Sequence, residues 1–179
     1  MMALSRMTHP RNKLFASICL AIAAVFYVVC PVGADDWRTY HNERYGTTIE
    51  YPDYFRAGAP PANSDGLEFK SNDGADFSVF ASYNALDFNL AGLKEFITEN
   101  LKAGEVITYQ AQGDNWFVIS GTSGDSVFYE RHLLSHGGQM TEGLVMSYPS
   151  RLKQKYDPVV ARMSKSLRSG TGFQTPGTH

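Results

Sequence analysis

The sequence predicts an α+β domain, a mainly antiparallel sheet with helices packed on its faces. Two observations carry this. Short runs of β-branched and aromatic residues are separated by turn signals such as Asn72-Asp73-Gly74 and Gly137-Gly138, as in hairpins and meanders. The apolar period then changes from two to about 3.6 at two places, Leu90 to Leu101 and Val159 to Leu167, so a helix is expected at each. Strands in runs joined by tight turns, with helices between the runs, make a layered α+β architecture.

Residues 1–34 read as an export signal. Arg6, Arg11 and Lys13 precede an apolar run, Leu14 to Cys30, and Val32-Gly33-Ala34 offers short residues for cleavage after Ala34. The alternative is an uncleaved inner-membrane anchor, because the seventeen residues of Leu14 to Cys30 exceed a usual signal core and approach a spanning length. Lipid attachment does not fit, since bulky Ile18 and Val29 precede Cys19 and Cys30. Both cysteines fall in this leader, so the chain from Asp35 has no disulfide, thiol nucleophile or cysteine metal site. Its 145 residues are enough for one domain with a core that needs no covalent staples.

Of 16 basic and 18 acidic residues, three basic and no acidic ones lie in the leader, leaving 13 against 18. Arg151 to Arg168 holds six basic residues and only Asp157, so the charge is polarised. An acidic chain with one basic helix argues against nucleic acid as partner.

In order, Trp37 to His41 and Thr47 to Tyr51 form a hairpin that Pro52 ends, and Asp53 to Gly66 is a long connection. Leu67 to Lys70 and Phe77 to Tyr83 form a second hairpin through Asp73-Gly74. Leu90, Leu93, Ile97 and Leu101, with Phe96 beside them, mark a helix capped by Asn89 and ended by Gly104. Val106 to Tyr109 enters a meander of Trp116 to Ser120, closed by Gly121, then Ser126 to Leu134 and Met140 to Tyr148. The last helix starts with Asp157 as cap and Pro158 in the first turn, and buries Val159, Val160, Met163 and Leu167. The domain is expected to span 35–170, with 171–179 as a flexible tail.

Tyr45-Gly46-Thr47-Thr48-Ile49-Glu50-Tyr51-Pro52-Asp53-Tyr54-Phe55 resembles the opening of PsbP-like and Mog1-like domains. The close, Leu144 to Pro149, Tyr156-Asp157-Pro158 and Met163 to Leu167, is similar to that of small secreted bacterial domains of unassigned function. The resemblance implies an α/β/α sandwich with binding or assembly roles, and it carries over no catalytic residue.

Candidate chemistry is sparse. His132 and His136 on a strand would stand roughly 13 Å apart, too far to share an ion; no metal or cofactor is expected. His132 shares a face with Glu130 and could act as a general base, but Ser120, Ser123 and Ser126 lack the spacing of a nucleophile elbow. The acidic loops around Asp65 and Asp73 lack the spacing of a calcium loop and read as Asx turns. Aromatics on the face opposite Val118 and Val127 are expected to line a groove. Tyr83, Trp116, Tyr129, His132 and Tyr148 are the candidate ligand or partner contacts. The expectation is an exported, non-catalytic binding or assembly module, periplasmic or secreted, that meets an envelope protein or small ligand. The alternative is a periplasmic hydrolase using His132 with an acidic partner.

Overall fold

The computed structural model describes residues 36–170; the segments expected to be an export signal, 1–34, and a tail, 171–179, lie outside the described residues. The strands are β1 (Trp37–His41), β2 (Thr48–Pro52), β3 (Arg56–Ala57), β4 (Gly66–Lys70), β5 (Asp76–Tyr83), β6 (Glu105–Gln112), β7 (Trp116–Ser123), β8 (Ser126–Ser135) and β9 (Met140–Pro149). Helix α1 is Leu90–Glu99 and α2 is Lys153–Ser166. A seven-stranded sheet has the order β3-β4-β5-β9-β8-β7-β6, and β1-β2 form a separate two-stranded sheet. Every pairing is antiparallel.

The alternating pattern divides the large sheet into two faces. One face carries Phe69, Phe77, Val79, Val127, Leu144, Met146 and Tyr148, covered by the β1–β2 hairpin and by Tyr156, Val159, Val160 and Met163 of α2. The other carries Phe117, Ile119, Phe128 and Leu134, and α1 lies on it through Leu93. The expected layering is present. The hairpin is held at the end of α2 rather than to a strand of the large sheet: Thr48 and Arg168, two residues past the helix, exchange two backbone hydrogen bonds of 3.0 Å. Arg162 also donates to Glu50 at 3.0 Å and lies 3.9 Å over the Trp37 ring.

Four boundaries differ from the expectations. The helix α2 begins at Lys153, four residues before the expected cap. Pro149 ends β9, a single 3-10 turn Ser150–Leu152 runs straight into the helix, and Tyr156 must be helical to reach the core. Asp157 therefore sits inside the helix, where it accepts from Lys153 Nζ at 2.7 Å. Pro158 denies a bond only to the carbonyl of Gln154, an exposed residue that water can reach. The helix α1 stops at Asn100, whose side chain bonds back to Phe96 O at 2.7 Å, and Gly104 serves the following turn at φ +87°. The long connection contains β3, two residues pairing with Lys70 and Phe69. Gly121 does not close β7: the strand continues to Ser123, and the turn is at Gly124-Asp125. Gly121 faces a bulge between Ile107 and Tyr109, where a Cβ would sit 1.9 Å from Val106 O.

One polar cluster ties the β4–β5 turn to α2. The Asp73 carboxylate accepts from Ser71 Oγ at 2.6 Å, Tyr156 OH at 2.7 Å and Lys155 Nζ at 2.7 Å. Burial pushes this carboxyl up, but the hydrogen bonds from Lys155, Ser71 and Tyr156 outweigh burial and hold it well below the usual range. A folded-state pKa below the unfolded one gives stability that is present above the unfolded value, near 3.9, and lost as pH falls through the folded value. Replacing Asp73 with Asn should cost about 1 to 3 kcal/mol at neutral pH, and the gap from wild type should shrink below about pH 4. Urea unfolding across that pH range checks it; a gap that stays constant would show that the charge of Asp73 is not what the clamp uses.

Candidate binding site on the α1 face

Between α1 and the sheet, the end of β5 and the loop after it leave an apolar cavity of about 320 Å³. Its walls are Phe80, Tyr83, Leu86, Phe88, Leu93, Phe96 and Ile97, with His132 and Thr141 beneath. The loop is fixed by Asn84, whose amide donates to Phe88 O and Gly138 O at 2.8 Å and accepts from Phe88 N–H at 3.0 Å. Asn89 caps α1 by accepting from Gly92 N–H at 2.8 Å, which sets the helix axis over the cavity. Gly143 lets the Phe80 ring lie against β9, since a Cβ there would stand 2.3 Å from Phe80 Cζ.

Three large apolar residues at this cavity are open to solvent: Leu86 is 67%, Phe96 43% and Tyr83 39% exposed. Their convergence on one hollow is what separates the site from isolated surface apolars, which are ordinary. Beneath them, His132 is buried, stacked on Phe117 with ring centroids 4.9 Å apart and planes at 19°. His132 Nε2 lies 2.8 Å from Glu130 Oε2. This contact holds the ring against Glu130 beneath a hydrophobic cover. Ser82 and Thr141 hydroxyls pair at 2.8 Å nearby. The arrangement can hold an apolar group and offer it little polar contact at the cavity floor.

Of the candidate residues, the structure places His132 at this cavity, with Tyr83 also lining it from the end of β5 while its ring packs edge-on against Tyr45 at 5.8 Å, and places the others across the sheet. Trp116, Tyr129 and Tyr148 share the face of Val118 and Val127, contrary to the expectation that binding aromatics stand opposite those valines. The reason is the period of two: Trp116 and Val118, or Val127 and Tyr129, are two residues apart in one strand. Trp116 lies 4.7 Å from the Arg131 guanidinium. Tyr129 OH donates to Ser164 Oγ at 2.7 Å, and Tyr148 OH donates to Asp157 Oδ1 at 2.9 Å. Burial, reinforced by Asp157, pushes the Tyr148 phenol well above its usual value. Tyr129 and Tyr148 also line a groove of about 630 Å³ between the sheet and α2, but both hydroxyls are engaged in tying down the helix.

Phe80, Leu86, Phe88, Leu93, Phe96 and Ile97 are the apolar wall residues outside the candidate set, with Thr141 beneath. The available signal is Phe96 beside the apolar stripe of α1, with Leu86 and Phe88 in a loop that needs neither for a turn. Ser120, weighed as a nucleophile, donates to Phe128 O at 2.7 Å and faces the α2 side, away from His132. Among the described residues no cluster of three or more His, Cys, Asp or Glu side chains could hold a metal ion, and no helix is long and apolar enough to cross a membrane.

No protein-family model matches the chain, and no curated protein matches it. Solved structures do. The solution structure of cyanobacterial PsbP (CyanoP) from Synechocystis sp. PCC 6803 aligns with a TM-score of 0.58 at 13% identity, covering 78% of this chain and 96% of that one. The Ran-binding protein Mog1p of Saccharomyces cerevisiae gives 0.52 at 7% identity, covering 75% and 96%. LpqN of Mycobacterium tuberculosis, described as involved in cell envelope biogenesis, gives 0.52 at 12% identity, covering 75% and 91%. Likeness at such identities is one of fold, and the chain has the PsbP/Mog1-like α/β/α fold.

Proposed function

We propose that this chain is an exported, non-catalytic binding module of the bacterial envelope. In this reading it holds an apolar group, from an envelope protein or a small ligand, in the cavity beneath α1. The observation that carries it is the convergence of exposed Tyr83, Leu86 and Phe96 on one hollow. Its volume lies at the small end of ligand sites. The similar structures include one described as Ran-binding and one described as involved in cell envelope biogenesis, roles that agree with binding or assembly. The acidic balance of 13 basic to 18 acidic residues from Asp35 onward supports a protein or small-molecule partner over nucleic acid.

A second reading is favoured by one observation, the 2.8 Å pairing of His132 with Glu130 at the cavity. That pair could take up a proton from a bound group, as a hydrolase base would. A covalent route also needs a nucleophile within hydrogen-bond reach, and Ser120 stands on the other face. The binding reading therefore leads.

Titration with anilinonaphthalene sulfonate, an apolar fluorescent probe, should saturate at one site per chain. Either Leu86→Asp or Phe96→Asp should weaken that binding by about tenfold or more, since each removes apolar contact worth roughly 1.5 to 3 kcal/mol. Unchanged affinity in both variants would remove the cavity from the account. Turnover in a broad hydrolase screen that vanishes in His132→Ala would establish the second reading instead.

Export rests on Arg6, Arg11 and Lys13, the apolar run to Cys30, and Val32-Gly33-Ala34. Amino-terminal sequencing of protein recovered from the periplasm should begin at Asp35. Intact Met1 in the membrane fraction would establish the anchored alternative.

A further inference from the structure

The two edges of the seven-stranded sheet are treated differently. One edge is β3, only Arg56–Ala57, followed by Pro60-Pro61; shortness, charge and proline are the usual ways to stop an edge from pairing. The other edge is β6, Glu105–Gln112, eight residues long, with no proline or lysine and a single charge at its first position; the bulge between Ile107 and Tyr109 is the one blunting device it carries. Alternate backbone N–H and C=O groups of an edge strand point away from the sheet, and only another extended strand satisfies them as a ladder.

The side chains of β6 fit that occupant. Register with β7 puts Val106, Tyr109 and Ala111 on the α2 face, because the bulge between Ile107 and Tyr109 restores Tyr109 to the side of Val106. Val106 is 59% and Tyr109 57% exposed. The sheet opens on each side of β6 into a groove of about 630 Å³. Thr108 and Tyr109 line the one on the α2 face, and Ile107, Gln110 and Gln112 line the one beside α1. An added strand sends alternate side chains toward both.

We propose that β6 pairs antiparallel with β6 of a second copy of this chain, joining two sheets across a two-fold axis. An antiparallel pair of identical strands is self-complementary, so one edge supplies both halves of the interface. Charge selects it as well. Glu105 is the only charged residue in β6, and in an antiparallel self-pair the two copies of Glu105 fall at opposite ends, with no like charges opposed. Val106 and Tyr109 of both copies then lie on one continuous face and lose their exposure.

Sedimentation of the protein isolated from cells expressing the full chain tests this, together with amide hydrogen exchange at low and high protein concentration. The expected result is a concentration-dependent dimer with slowed exchange confined to Glu105–Gln112. Val106→Lys with Tyr109→Lys should weaken dimerisation by about tenfold or more; Ala57→Lys at the opposite edge should leave it unchanged. A monomer at every soluble concentration, exchange in β6 that ignores concentration, or a dimer indifferent to the β6 lysines would overturn the proposal. So would protection of β6 only when another protein is present. None of these outcomes bears on the cavity beneath α1.

Discussion

The alternation of side chains across the seven-stranded sheet is the constraint on which the rest of the structure depends. Each strand must serve two faces, and the two helices cover those faces unequally. The helix α2 buries Tyr156, Val159, Val160, Met163 and Ser164, whereas α1 fully buries only Leu93. The α2 side is also tied by polar links at both ends and in the middle: Asp73 to Tyr156 and Lys155, Asp157 to Tyr148, Ser164 to Tyr129, and Glu50 to Arg162. Full burial and many directional contacts make a face that packs one way. Partial burial over a preformed hollow makes a face that can admit a guest.

This asymmetry gives the aromatic residues two different jobs. On the α2 face, Phe69 and Phe77 stack at 4.5 Å with planes 6° apart, and Tyr129 and Tyr148 spend their hydroxyls on helix contacts; such rings hold the layers together. On the α1 face, Phe80 and Phe117 flank His132, and Phe88 lies 5.3 Å from Phe96. Phe80, Phe88 and Phe96 line space rather than fill it, over the fully buried Phe117.

How much of this is readable from sequence follows from range. The hairpin at Asp73-Gly74 and the meander from Trp116 onward are local patterns whose turn residues and alternation agree, so they are legible. The face of Trp116 is legible from parity with Val118 and that of Tyr129 from parity with Val127, whereas the face of Tyr148 follows only from the register of β8 with β9. Strand β3 has two residues, too few for any period. Asp157-Pro158 has the chemistry of a helix start, but burial of Tyr156 extends α2 back beyond it. The clamp on Asp73 joins residues 83 positions apart, and no local rule distinguishes it from an ordinary Asx turn. The cavity is likewise a product of tertiary placement, since Leu86 and Phe96 come to one hollow only when α1 lies on the sheet.

If stability resides on the α2 face while the α1 face is held lightly enough to receive a ligand, the two helices must open with different free energies. Native-state amide hydrogen exchange in low denaturant measures this directly. Amides of α2 should exchange only through global unfolding, and those of α1 should exchange faster through a local opening that leaves α2 protected. Equal protection of the two helices, with α1 opening only when the whole sheet unfolds, would contradict the account.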